Sequence, residues 1–183
     1  ESYYGLAWSP DGKKLFASGG GAEVIHGFDF NDGYLAAPRQ LVLRPANEQG
    51  IPGGLALSAD GHALYVAESW GQRVEKISAT DGRVLWVRSL AAAEGAATTE
   101  HEGMRLKAAS NPDAPFPYTC LPDEKSGRVF VSLWAKSTVL VLDAATGAER
   151  ARWPVGQHPN EMVLARDGRL FVAESNLNSV SVI

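Results

Sequence analysis

One short feature recurs along this chain and limits what it can fold into: a polar turn that closes on glycine, followed at once by an apolar run. "GLAWSPDGKKLFASGG" begins at Gly5, "GLALSADGHALYVAES" at Gly54, "YTCLPDEKSGRVFVSLW" at Tyr118 and "EMVLARDGRLFVAES" at Glu161. The turn glycines are Gly12, Gly61, Gly127 and Gly168, and an aromatic follows each: Phe16, Tyr65, Phe130 and Phe171. The next column is small or β-branched, at Ala17, Val66, Val131 and Val172. Pro52, Pro117 and Pro159 open the later units, and a second turn follows at Asp32-Gly33, Asp81-Gly82 and Thr146-Gly147. Such dipeptides between apolar runs mark hairpins, because the turn needs a positive φ that glycine adopts without steric cost. A period of roughly 40–50 residues built from short strands and such turns points to a repeat architecture.

Each unit reads as strand A, glycine turn, strand B, polar loop, strand C, second turn and strand D. Strand D is "RQLVLR", "RVLWVRSL" and "RARWPV" in the first three units. Four antiparallel strands per unit, repeated, form a propeller blade. The expected fold is all-β: one partial β-propeller over 1–183, with four-stranded blades near 3–44, 51–90, 116–155 and 158–183, the last incomplete, and an insertion at 91–115. In this register Ile183 matches Leu142, so the fourth unit lacks its strand D. Blades bury their faces against neighbours. The expectation is therefore that further blades of the same parent chain complete the ring, ahead of assembly from several chains.

Composition matters here for what it removes. With 45% hydrophobic and 21% charged residues the chain is globular, and a net charge of −4 argues against a nucleic-acid partner. No apolar run approaches the roughly 20 residues of a membrane span. Cys120, the single cysteine, reads as a small buried hydrophobe.

The run "GQHPNEMVLARDGRLFVAESNLNSVSVI" resembles the YVTN-type β-propeller repeat, and the likeness extends over all four units. It departs at the family's namesake residues, which here read Tyr65-Val-Ala-Glu and Phe171-Val-Ala-Glu. The resemblance implies a bacterial protein, periplasmic or secreted, in which such a propeller precedes a phosphoesterase domain of the alkaline-phosphatase type. "ATDGRVLWVRSL" also looks like the strand C to strand D corner of quinoprotein propellers, with Trp86 four residues after Gly82; Trp153 lies six after Gly147, so that corner does not recur.

In a four-stranded meander the A–B and C–D turns share one face of the disc, and these turns are short, so that face is expected to be bland. The B–C loops and D–A connections share the other, where loops that vary carry function. The candidates lie there. Glu68-Ser69 and Glu174-Ser175 occupy equivalent B–C positions, read either as acidic groups at the channel mouth or as loop residues with Glu facing water. Gly19 and Leu133 stand in the same column, so no carboxylate ring is expected. Trp70, Trp134 and Asn176 sit in these loops; an exposed tryptophan there stacks on a ligand or covers the next blade. His158, Asn160 and Glu161 lead into strand A of the fourth unit, at the channel, where metal-using propeller lactonases place Asn, Asp and Glu. The matching pairs Tyr4-Gly5, Gly53-Gly54 and Tyr118-Thr119 supply no carboxylate. The insertion adds Glu100, His101 and Glu102, but "HEGMR" has Arg105 where a zinc-protease helix needs a second histidine. His26, His62, His101 and His158 are too dispersed for a metal site, and no cofactor is evident.

These residues favour a non-catalytic module that binds a protein or small-molecule ligand on the B–C and D–A face. The alternatives are a propeller hydrolase of the lactonase class, with a metal at the channel mouth, and a quinoprotein-like oxidoreductase.

Overall fold

The computed structural model describes residues 5–91 and 113–183. Its strands form four sheets, each a meander. The first holds β1 (Leu6–Trp8), β2 (Lys14–Ser18), β3 (Val24–Asn31) and β4 (Tyr34–Val42). The second holds β5 (Pro52–Leu57), β6 (Ala63–Glu68), β7 (Arg73–Ser78) and β8 (Val84–Ser89). The third holds β9 (Pro117–Asp123), β10 (Arg128–Leu133), β11 (Thr138–Asp143) and β12 (Glu149–Pro154). The fourth has three strands, β13 (Pro159–Leu164), β14 (Leu170–Glu174) and β15 (Ser179–Val182). All pairings are antiparallel between chain neighbours, as expected of propeller blades.

The turns follow from their glycines. Gly12, Gly61, Gly127 and Gly168 have φ of 68°, 72°, 64° and 92°, and Gly33, Gly82 and Gly147 have 86°, 74° and 72°. In the first two A–B turns a serine hydroxyl also donates to the aspartate: Ser9 to Asp11 and Ser58 to Asp60, both at 2.6 Å. These local bonds hold the Asp11 and Asp60 carboxyls below their ordinary values. The first strand D is longer than the sequence suggests. β4 begins at Tyr34, directly opposite Asn31, because Asp32-Gly33 closes a two-residue hairpin.

The core lies between sheets, not within one. Phe16, Ile25 and Leu41 of blade one meet Leu55, Leu64, Val66 and Ile77 of blade two. Tyr65, Val74 and Trp86 meet Cys120, Val131, Leu140 and Leu142 of blade three. Phe130, Val139 and Val141 meet Met162, Leu170 and Val172 of blade four. The aromatic column thus plugs each seam, and Phe16, Tyr65 and Phe130 are fully buried. Cys120 is buried as well, and desolvation drives its thiol far up, which makes it inert. The inner strands touch backbone to backbone: a Cβ on Gly54 would stand 2.5 Å from the Thr119 Cα. Where no neighbouring blade covers them, Leu6 and Trp8 of blade one and Val180 and Val182 of blade four remain exposed. No helix among the described residues is long and apolar enough to cross a membrane.

Candidate functional site

The B–C loops and D–A connections gather on one face, and the structure sorts the candidates there into three groups. The first is buried. Glu68 ends β6 fully enclosed, so it does not meet water. Its carboxylate pairs with Arg44, from the connection after β4, and with Arg73 Nε at 2.7 Å. Arg44 Nη1 also reaches Glu23 Oε2 at 2.8 Å and its Nη2 reaches Glu75 Oε1 at 2.8 Å; Arg73 Nε lies 3.0 Å from Glu75 Oε1. Burial opposes the charge on Arg44, but the hydrogen bond and charge of Glu68, with Glu75 and Glu23, more than compensate and raise its basicity. Burial and the neighbouring Glu68 charge raise the Glu75 carboxyl. The cluster spans the seam between blades one and two.

Glu174, in the same column of blade four, is also buried, so the expectation of a water-facing Glu fails for both. It accepts hydrogen bonds from the Gly156 N–H at 2.6 Å, from Ser179 Oγ at 2.5 Å and from Ser181 Oγ. The Ser179 and Ser181 bonds hold its carboxyl below the ordinary value. Both carboxylates are interior devices because the residue at the end of strand B points into the blade, toward the first residues of strand C. Ser69 likewise serves structure, its Oγ donating to the Pro117 carbonyl across the seam at 2.9 Å. Trp70 is half-buried, and its N–H donates to the Gly50 carbonyl.

The second group stays at the surface, at the seam of blades three and four. Trp134, 38% exposed, stacks on His158 with ring centroids 3.9 Å apart and an 11° tilt. Asn160 Oδ1 accepts the Glu161 N–H at 2.8 Å, and the Asn160 carbonyl accepts Ser132 Oγ at 2.7 Å. Glu161 is exposed by surface area, yet partial desolvation raises its carboxyl above the ordinary value. Asn176 is exposed, with Nδ2 3.4 Å from Gln157 Oε1. His158 has a φ of +53° directly before Pro159. Ile51 and Phe116 repeat that strained geometry before Pro52 and Pro117, so it belongs to the blade repeat and not to the histidine.

The third group, Glu100, His101 and Glu102, lies outside the described residues. Among the described residues no three His, Cys, Asp or Glu side chains come close enough to hold a metal ion.

Arg44, Glu23, Arg73 and Glu75 were not singled out from sequence. Arg44 and Glu23 recur in no other blade, so no column marks them. Glu75 carried a signal: its equivalent in blade three is Leu140, a core residue, so a carboxylate there needed a buried partner. The tight-turn face is less bland than expected. Between blades two and three it has an open cleft of about 330 Å³ lined by Asp60, Tyr65, Lys76, Asp143 and Arg150 among others. Lys76 Nζ donates there to the Ala144 carbonyl at 3.0 Å.

The profile of the SMP-30/gluconolactonase/LRE-like region matches residues 3–93 and again 34–176. The same stretch fitting twice is the mark of a repeat. This family is related to the YVTN-type propellers named from the sequence. The YVTN-type label itself is not borne out, since the matching profile is that of the related family. No curated protein matches. Among solved structures, a candidate 6-phosphogluconolactonase of Bacteroides fragilis superposes with a TM-score of 0.74 at 19% identity, over 98% of this chain and 49% of that one. Streptogramin B lyase gives 0.71 at 20% identity, over 98% and 50%. Hydrazine synthase of Kuenenia stuttgartiensis gives 0.73 at 15% identity, over 100% and 46%. At such identities the likeness shows the fold alone. The chain spans about half the length of these proteins.

Proposed function

This chain belongs to the SMP-30/gluconolactonase/LRE-like family, and from that premise we propose that it forms part of a propeller hydrolase that opens lactones at the channel mouth. The observation that carries this reading is Glu161, a surface carboxyl on β13 that partial desolvation raises above its ordinary value, beside Asn160. A carboxyl in that state suits general acid–base work. Glu161 accepts a proton from the water that attacks the lactone carbonyl carbon. The ring C–O bond then breaks, and the departing oxygen takes a proton back.

A divalent ion bound beside Glu161 would polarise the lactone carbonyl. Asn160 and Glu161 are suitable oxygen donors, but a hard cation takes roughly six or more. The matching positions Gly5, Gly54 and Thr119 add no carboxylate. The described residues do not fit a complete metal shell.

The test is hydrolysis of an aldonolactone by the purified chain, followed by proton release, with Glu161→Gln alongside. Loss of a general acid–base group should lower the rate by about 10²–10⁴-fold. A Glu161→Gln rate equal to wild type would place the chemistry elsewhere.

A second reading has its own support. The exposed Trp134–His158 pair is suited to a binding module. In that reading the B–C and D–A face contacts a protein or small molecule, further blades of the parent chain cover Val180 and Val182, and the setting is periplasmic or secreted. Binding of the aldonolactone without turnover, read from Trp134 fluorescence, would favour it.

A further inference from the structure

The buried cluster between blades one and two lies apart from the channel-mouth residues, and its charges do not balance. Glu23 precedes β3, Glu68 ends β6 and Glu75 lies on β7; against these three carboxylates stand two guanidinium groups, Arg44 and Arg73. Three negative charges less two positive leave one in excess. The remaining charged neighbour, Glu48, is another carboxylate, mostly exposed and 4.0 Å from Arg44 Nε. From β8, Val87 opposes Glu75 and brings no charge. Glu75 Oε2 is the one buried side-chain oxygen among the described residues with no hydrogen-bond partner. An ionised carboxylate so enclosed, with a bare oxygen and an uncompensated charge, is strongly disfavoured.

We propose that Glu75 carries a proton in the folded chain at neutral pH, and that this proton latches the 44–51 connection between blades one and two. Neutral Glu75 brings the cluster to charge balance, and burial and the Glu68 charge both push its carboxyl up, against the pull of Arg44 and Arg73. The connection is tied to the cluster along its length. Arg44 opens it and grips Glu23, Glu68 and Glu75. The Ile51 N–H closes it on Glu23 Oε1 at 2.8 Å. Between them the Gly50 carbonyl accepts the Trp70 and Gly71 N–H groups, and Gly50 packs on Arg44 and Glu68 with no room for a Cβ. β5 starts at Pro52, directly after this connection. A carboxyl raised by folding contributes stability that is complete below its unfolded value of 4.5 and is lost as pH rises through the folded value. The latch therefore releases toward alkaline pH.

The experiment compares thermal unfolding of the 183-residue chain and its Glu75→Gln variant. Gln keeps the shape and an acceptor for Arg44 but bears no charge. At about pH 5 the two Tm values should nearly coincide, and at about pH 9 the variant should melt about 7 °C or more higher. Hydrogen exchange of 44–51 should lose protection at alkaline pH in wild type only. A Tm difference of the same size and sign at both pH values, or a variant less stable at the higher pH, would overturn the proposal. Should Glu75→Gln fail to fold, the infrared spectrum of the wild-type chain decides. A protonated-carboxyl carbonyl band at neutral pH that bleaches on alkaline titration supports the latch, and its absence contradicts it.

Discussion

Glu68 and Glu174 occupy one column of the repeat, at the end of strand B in blades two and four, and both are buried. Their surroundings differ. Glu68 faces Arg73 and Glu75 on strand C and draws in Arg44 from the preceding connection. Glu174 faces Ser179 and Ser181 at the same two strand C positions and takes the Gly156 N–H. One blade answers a buried carboxylate with charge, the other with neutral donors. The column thus fixes where the carboxylate goes, while its partners set what its loss would cost. Charged partners tie blade two to blade one, whereas the serines keep blade four's solution local.

The largest expected effect would separate the two blades outright. Arg44→Ala leaves buried carboxylates uncompensated and should cost about 3–5 kcal/mol in chemical denaturation. A cost no greater than that of Ser181→Ala would break the comparison. Glu174→Gln keeps the size but loses the charged acceptor, and should cost about 1–3 kcal/mol at neutral pH. Its pH dependence has a definite sign. Because the folded Glu174 carboxyl is held low, its stabilisation is present above the unfolded value of 4.5 and is lost as pH falls through the folded one. Glu174→Gln should therefore lose less stability on acidification than wild type, the reverse of Glu75→Gln, whose gain appears on the alkaline side.

The turns should not distinguish the blades. Gly61→Val and Gly168→Val each force a β-branched residue to positive φ and should each cost about 1–2 kcal/mol. Neither position crowds a Cβ closer than 3.5 Å, so a large difference between them would show that the two turns are not equivalent. The smallest effect is that of Ser181→Ala, about 0.5–1.5 kcal/mol for one hydrogen bond, with Ser179 still in place.

These contrasts also explain what the sequence made legible. The seven turn glycines announced the blades because a positive φ leaves a mark on residue choice. A second left-handed column left none: Glu23, Gln72, Ser137 and Asn178 all precede strand C with φ of 49–56°, yet share no residue type. Their side chains do separate work. Glu23 Oε1 accepts the Ile51 N–H and Gln72 Oε1 accepts the Phe116 N–H, a blade-to-blade tie that the shorter Ser137 does not repeat. The Glu68 and Glu174 column was visible, but its direction was not. Strand alternation tells which side a residue takes, not whether an arginine 24 positions earlier reaches back to meet it. Asn160 and Glu161 stand out because the matching pairs in the other blades are Tyr4-Gly5, Gly53-Gly54 and Tyr118-Thr119, none with a carboxylate. The Trp134–His158 stack joins two loops that the sequence could only place on the same face.

Glu68 and Glu174 are buried structural groups, whereas the proposed function puts the ligand at His158, Asn160 and Glu161. Amide chemical-shift mapping with an aldonic acid, the product of lactone opening, tests it directly. Shifts confined to the 158–161 segment and the Trp134 loop are the expected result. Shifts centred on Glu68 or Glu174, with 158–161 unmoved, would contradict it.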